Sequence, residues 1–256
     1  MSLLIPIVCS NVVHMVALKD DGTLDIAHRD HDLDLEESLV ALGAKPSPCV
    51  KALHTWESEP LRFVQDYGQV AIDSPEHANA LIIALGIDFA WHVTPHISMP
   101  FNRNKAETTL KLGHKIIKEA LQKEEPDLFL RNNNRLHKKF YNAQTWVGPA
   151  AYAYLDKSET QYHLISTVAD ACVGLEDWDT NESDMARNDA LVGIGCVAMG
   201  DDFVPDRMQR ADDLLSQPPM KQFVDIEDNW QRRRIVKVMT AFMKTGKYPA
   251  LPWVKS

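Results

Sequence analysis

Ser158-Glu-Thr-Gln-Tyr-His-Leu-Ile-Ser-Thr-Val-Ala-Asp-Ala-Cys-Val-Gly-Leu175, then Glu176-Asp-Trp-Asp-Thr-Asn-Glu-Ser-Asp184, then Met185 to Met199, is the stretch that decides the fold. It reads as a helix, an acidic turn and a second helix. Ser183 is placed to cap the second helix, with Asp184 near the positive end of its dipole. Ala190, Gly193, Gly195 and Ala198 run along that helix, where small side chains let a neighbouring backbone come close.

Outward from this pair, the carboxy-terminal half continues to read as helical. Leu110, Ile116, Ile117, Ala120 and Leu121 form one apolar stripe, Pro126 opens the next helix, and a last helix is expected from about Asp225 to Lys244. Its acids lie at the start and its bases follow, the order the helix dipole favours. Toward the amino terminus the pattern changes. Val12 to Leu18 is apolar and β-branched, Lys19-Asp-Asp-Gly-Thr23 carries an Asp-Gly turn, and Leu24 to His28 alternates, which predicts a β-hairpin. Gln69–Ile72 and Ile87–His92 read as short buried strands. Between them a helix starts at Ser74-Pro75-Glu76 and stops at Gly86. A further helix is expected to begin at Asp34, Glu36 and Glu37 and to end at Gly43, and the tail Tyr248 to Trp253 reads as an apolar strap. The expected fold is α+β and predominantly α-helical, with a mixed part over 1–102 packed tightly beside a helical part over 103–256.

Totals exclude some classes. A net charge of −9 over 256 residues argues against a protein that coats nucleic acid as a whole, and suits a cationic partner. The charge is uneven, however. Residues 103–140 hold ten Lys/Arg against five Asp/Glu, whereas residues 19–37 hold eight acids against two bases. Cys9, Cys49, Cys172 and Cys196 have no CxxC spacing and read as reduced thiols. The start MSLLIPIVCS lacks a basic residue before its apolar run and makes a poor signal peptide. The longest apolar run, 11 residues from Ala190 to Gly200, is too short to cross a bilayer, so no membrane partner and a cytoplasmic location are expected.

Several constellations are candidates for chemistry. Asp177, Asp179, Asn181 and Asp184 place oxygen ligands at spacings that a hard cation such as Ca2+ or Mg2+ can use. Glu182 and Asn188 stand where an EF-hand loop needs Gly and Glu, and a capping turn explains the same residues. Asp179-Thr180, Asp184, Gly193, Gly195 and Ala198 resemble the metal-binding turn of the ADP-ribosylglycohydrolases, although their amino-terminal acidic motif has no counterpart. Gly193-Ile-Gly195-Cys-Val-Ala198 fits G-x-G-x-x-A but lies within a helix rather than after a strand, so close helix packing explains it. His28-x-x-His31-Asp32 and His92-x-x-x-His96 could hold a metal if their imidazoles converged, but Pro95 works against a shared helical face. In the basic segment, Arg131, Arg135, Lys138 and Lys139 fall near one another, with Asn132-Asn-Asn134 between and Phe140 and Tyr141 beside them. Such a patch can hold phosphates and touch bases, or pair with acidic segments of its own chain.

The expected function is therefore a cytoplasmic binding or regulatory protein that meets a protein partner through charged surfaces, with no cofactor. One alternative is a divalent-metal-dependent hydrolase with Asp177, Asp179 and Asp184 as ligands and His163 as base. The other is a nucleic-acid-binding protein using segment 103–140.

Overall fold

The computed structural model describes residues 3–9, 12–26, 48–68, 72, 74–205 and 215–249. The chain is predominantly helical, and its described residues include a small three-stranded antiparallel sheet. It divides into two units. One comprises Met1–Asn79 with Arg232–Pro249, and the other is built on Ala80–Gln231.

The first unit holds the sheet. Strands β1 (Leu3–Cys9), β2 (Val12–Leu18) and β3 (Leu24–Ile26) lie in that order, with Leu3 opposite Leu18 and Val16 opposite Ile26. The expected hairpin is β2–β3. Its turn closes through Gly22, whose φ of 87° is open to glycine, while Asp21 accepts hydrogen bonds from both the backbone and the hydroxyl of Thr23. Strand β1 was not expected. The run that makes a poor signal peptide is, among the described residues, an edge strand, the place in a sheet where a proline such as Pro6 is tolerated. Leu3, Ile5 and Ile7 alternate inward while Leu4 is exposed, the period of a strand with one covered face.

Helix α1 (Pro48–Ser58), helix α2 (Pro60–Phe63) and a π turn (Val64–Gly68) follow in the same unit. Trp56 ties them to the hairpin by donating its indole N–H to the Gly22 carbonyl, 3.1 Å away. Arg232 lies over the Trp56 ring and donates to the carbonyls of Trp56 and Glu57. The helix expected between Asp34 and Gly43, the strand at 69–72 apart from Ile72, the His28/His31/Asp32 group and most of the terminal strap lie outside the described residues.

Helix α3 runs from Pro75 to Val93 and corrects two expectations. Gly86 does not stop it, and Ile87–His92 is its last third rather than a strand. The segment is apolar on every side, so its sequence has no period that separates a buried helix from a buried strand. The reason for Gly86 is tertiary: a Cβ there would lie 3.0 Å from the Ser183 side chain. A short 3-10 turn (Thr94–His96) leads to helices α4 (Pro100–Ala120), α5 (Pro126–Asn132), α6 (Asn134–Gln144) and α7 (Val147–Tyr152).

The central pair is α8 (Glu159–Asp177) and α9 (Thr180–Val197). The second helix starts five residues earlier than Met185. Asp179, not Ser183, is its cap, accepting from the Asn181 N–H at 2.9 Å. Ser183 is fully buried in the first turns instead. Trp178 takes the left-handed conformation, φ 58°, so the connection shrinks to two residues. The small residues of α9 bring helices together as expected: a Cβ on Gly193 would lie 2.9 Å from Leu164, and one on Gly195 2.9 Å from Val224. The last helix, α10 (Pro218–Thr245), begins seven residues before the expected Asp225, at a pair of prolines, since proline suits a first turn whose N–H groups have no helical partner. Among the described residues no helix is long and apolar enough to cross a membrane.

Candidate functional site

The acidic turn and the basic segment meet in one cleft of the second unit. Pro126 opens α5, and Asn133 ends it and caps α6 by accepting from the Leu136 N–H at 3.2 Å. One amide of the Asn132–Asn134 triplet is thus engaged in the backbone. The resulting bend sets Leu130 and Arg131 of α5 and His137 and Phe140 of α6 across from Leu175, Glu176, Asp177 and Trp178 at the end of α8. Between them lies a cleft of about 440 Å³.

Its floor is apolar, made by Ile116, Leu130, Phe140 and Leu175, while its rim is charged. Arg131 donates from Nε to Asp127 at 2.6 Å, an i,i+4 pair on α5. Glu176 accepts from the Gln144 amide and lies 3.9 Å from Nε2 of His137. Asp127, Glu176 and Asp177 therefore set three carboxylates against one guanidinium. Trp178 forms part of the wall from its left-handed backbone, a conformation in which a bulky residue is rare.

The sequence-predicted residues separate here. Asp177 and Arg131 share the cleft. Asp179 caps α9, and Asp184 lies further along that helix. Arg135, Lys138 and Lys139 are exposed on α6, outside the cleft lining and with no ion-pair partner among the described residues. Among the described residues the Lys and Arg ion pairs of the basic segment are local ones, such as Lys111 with Glu107 and Arg131 with Asp127. Glu176, His137 and Trp178 were missed as cleft residues. Only the spacing of His137 and Phe140 along a short amphipathic helix pointed that way.

His163 lies elsewhere on α8, about 21 Å along the axis from Asp177 at 1.5 Å per residue. Its Nδ1 is 3.0 Å from Asp189 of α9 and its Nε2 is 2.9 Å from Glu159 one turn earlier. Burial pulls the pKa of this imidazole down, but the hydrogen bonds and charges of the two carboxylates outweigh it and raise it to about 9. At neutral pH it is an imidazolium held on both sides, with no lone pair to act as the base of the acidic turn. Asp170, two turns further on, has its pKa raised to about 8 by burial and by the charges of Asp189 and Glu182. This cluster binds protons tightly. The signal for it was the Glu159, His163, Asp170 spacing, one face of a helix.

A third polar group joins α3, α9 and α10. His92 lies parallel to the Trp230 ring, centroids 3.5 Å apart, with Nδ1 2.9 Å from Glu227. Arg187 pairs with Asp228. His96 sits in the 3-10 turn rather than on the helix of His92, and burial and the charge of His92 lower its pKa. Among the described residues no group of three or more His, Cys, Asp or Glu side chains is arranged to hold a metal ion. Cys172 and Cys196 are free and buried, and burial pushes the Cys196 thiol up to about 12, so neither is a ready nucleophile.

No known family model, curated protein or solved structure matches this chain.

Proposed function

We propose that this is a cytoplasmic binding or regulatory protein. Its cleft between α5, α6 and the end of α8 takes a segment of a protein partner in which an apolar side chain adjoins a basic one. The observation that carries this reading is Trp178. A left-handed residue closing a helix is usually glycine, and another residue there costs about 1–2 kcal/mol. The indole is only partly buried, so core packing does not account for its presence, but it does wall the cleft. Strained residues gather where a site needs their side chains. The apolar floor supplies an anchor, and the excess of carboxylates at the rim selects a positive neighbour, in keeping with the net charge of −9. Free, buried thiols at Cys172 and Cys196 suit a reducing compartment.

Two fluorescein-labelled peptides test the reading, one with alternating Leu and Arg and one with Leu and Glu at the same positions. Anisotropy titration is expected to show binding of the first alone. Trp178→Gly and Asp177→Asn should each weaken it about fivefold or more, equivalent to ~1 kcal/mol. Equal binding of both peptides, or undiminished binding in both variants, defeats the proposal.

A further inference from the structure

A second concavity of the same unit, about 420 Å³, lies between α4 and the carboxy-terminal end of α6. Its chemistry is the opposite of the cleft's. The lining contains no carboxylate, and its charged group is Lys105, whose Nζ lies 4.4 Å from the centroid of the Phe101 ring and 5.8 Å from that of Trp146. Phe101 is 62% exposed although the Lys105 ammonium lies over its ring, so much of this aromatic side chain is open to solvent among the described residues. Trp146 is held in place by donating its indole N–H to Thr109 at 3.2 Å, and that hydroxyl in turn donates to the Ala143 carbonyl at 2.9 Å. Asn104 and Asn142 stand at the edge and bring their amides to it.

The groove does not end at α6. Asn142 shares a helical face with Lys138, Lys139 and Arg135, at spacings of four, three and seven residues. These three cations are exposed and have no ion-pair partner among the described residues. The stripe extends about 10 Å along the axis from the groove at 1.5 Å per residue. An aromatic floor beside one lysine, amides at the edge and a row of uncommitted cations leading away form a stacking platform with a phosphate track.

We propose that this groove and the α6 stripe bind single-stranded nucleic acid, one base stacking on Phe101 and Trp146 beside Lys105 while the following phosphates run along Lys139, Lys138 and Arg135. The net negative charge of the whole chain limits the affinity but leaves this local field positive, because segment 103–140 carries the excess of bases. A duplex keeps its bases stacked on one another and cannot use the aromatic floor.

The test is fluorescence anisotropy with a labelled oligothymidylate of about 20 nucleotides at about 50 mM salt. Wild type should bind it, more weakly as salt rises, and should prefer it to a duplex of equal length. Phe101→Ala should weaken binding at least fivefold, roughly the loss of one base stack. Because Phe101 is exposed, this variant should keep the wild-type circular dichroism and melting temperature. The double variant Lys138→Gln/Lys139→Gln should lower the salt dependence by about one to two counterions. No binding at tens of micromolar protein, equal affinity for duplex, or a Phe101→Ala variant that binds like wild type would overturn the proposal. So would competition by thymidine monophosphate as effective per phosphate as that of the strand.

Discussion

Gly86 of α3 and Ser183 of α9 touch so closely that a methyl group on Gly86 would lie 3.0 Å from the Ser183 Cβ and 3.2 Å from its Cα. Neither atom can swing away, since one is backbone and the other is fixed to it. Gly193 meets Leu164 in the same manner, at 2.9 Å from Cδ2 and 3.2 Å from the backbone nitrogen. The two crossings set how near α9 comes to α3 and to α8.

Replacing these glycines by alanine sets helix propensity against overpacking. Propensity favours alanine by about 1 kcal/mol, whereas overpacking a filled core costs about 1–3 kcal/mol. Gly86→Ala and Gly193→Ala should therefore lower the melting temperature. Gly148, also helical, would meet nothing beyond its chain neighbours within 4 Å, but it precedes Pro149, whose ring disfavours a helical residue with a Cβ before it, so Gly148→Ala should leave the melting temperature near that of wild type. Thermal denaturation of the three variants checks the contrast, and a uniform shift in one direction would contradict it.

The proton-binding cluster on α8 and α9 gives stability a pH dependence. His163 has its folded pKa raised from 6.5 to about 9, so its contribution is fully present below pH 6.5 and is lost as the pH rises through 9. Asp170 has its folded pKa raised from 3.8 to about 8, so folding favours its protonated form. It costs nothing below pH 3.8, and its cost grows until the pH passes 8. Both groups make stability fall as pH rises from about 4 to 9. Denaturant melts at pH 5, 7 and 9 should show this decline, and His163→Gln and Asp170→Asn should each flatten it. A midpoint that rises from pH 5 to 9 would refute the assignment.

Asp179 separates the capping role from the metal role. As a cap it is replaceable by asparagine with little change, whereas Asp179→Ala should cost about 1 kcal/mol. Calcium or magnesium should then shift the melting temperature no more than an equal ionic strength of sodium chloride. An ion-specific rise of several degrees that vanishes in Asp179→Asn would instead make the turn a metal site.

The Arg187–Asp228 pair is partly withdrawn from water, with the arginine side chain 5% exposed. Asp228→Ala should be destabilising, by about 1–3 kcal/mol, because a buried guanidinium loses its ion partner and keeps only its remaining hydrogen bonds, among them the one to Asn188. An Arg187→Met/Asp228→Leu double variant should recover much of that loss, because two apolar side chains of similar bulk leave no charge to solvate. Urea denaturation of the single and double variants measures the difference.

Local chemistry alone determined a good part of this protein. The Asp-Gly turn placed the β2–β3 hairpin, the small residues of α9 announced a close crossing, and apolar runs bounded by Pro, Ser and Gly placed most helices. These features depend on neighbours in the chain, and their signals are written within a few residues. Tertiary structure decided what remained. Ser183 read as a cap and Gly86 as a stop, yet the two are packed against each other, because a contact between residues 86 and 183 leaves no local trace. Arg131 and Asp177 stood out separately, but only the bend at Asn133 and the left-handed turn at Trp178 bring them to one cleft. His163 read as a spare base until Asp189 closed on its second nitrogen. A side chain's type fixes which chemistry it can perform, and its partners across space fix whether the lone pair, charge or proton is still available to perform it.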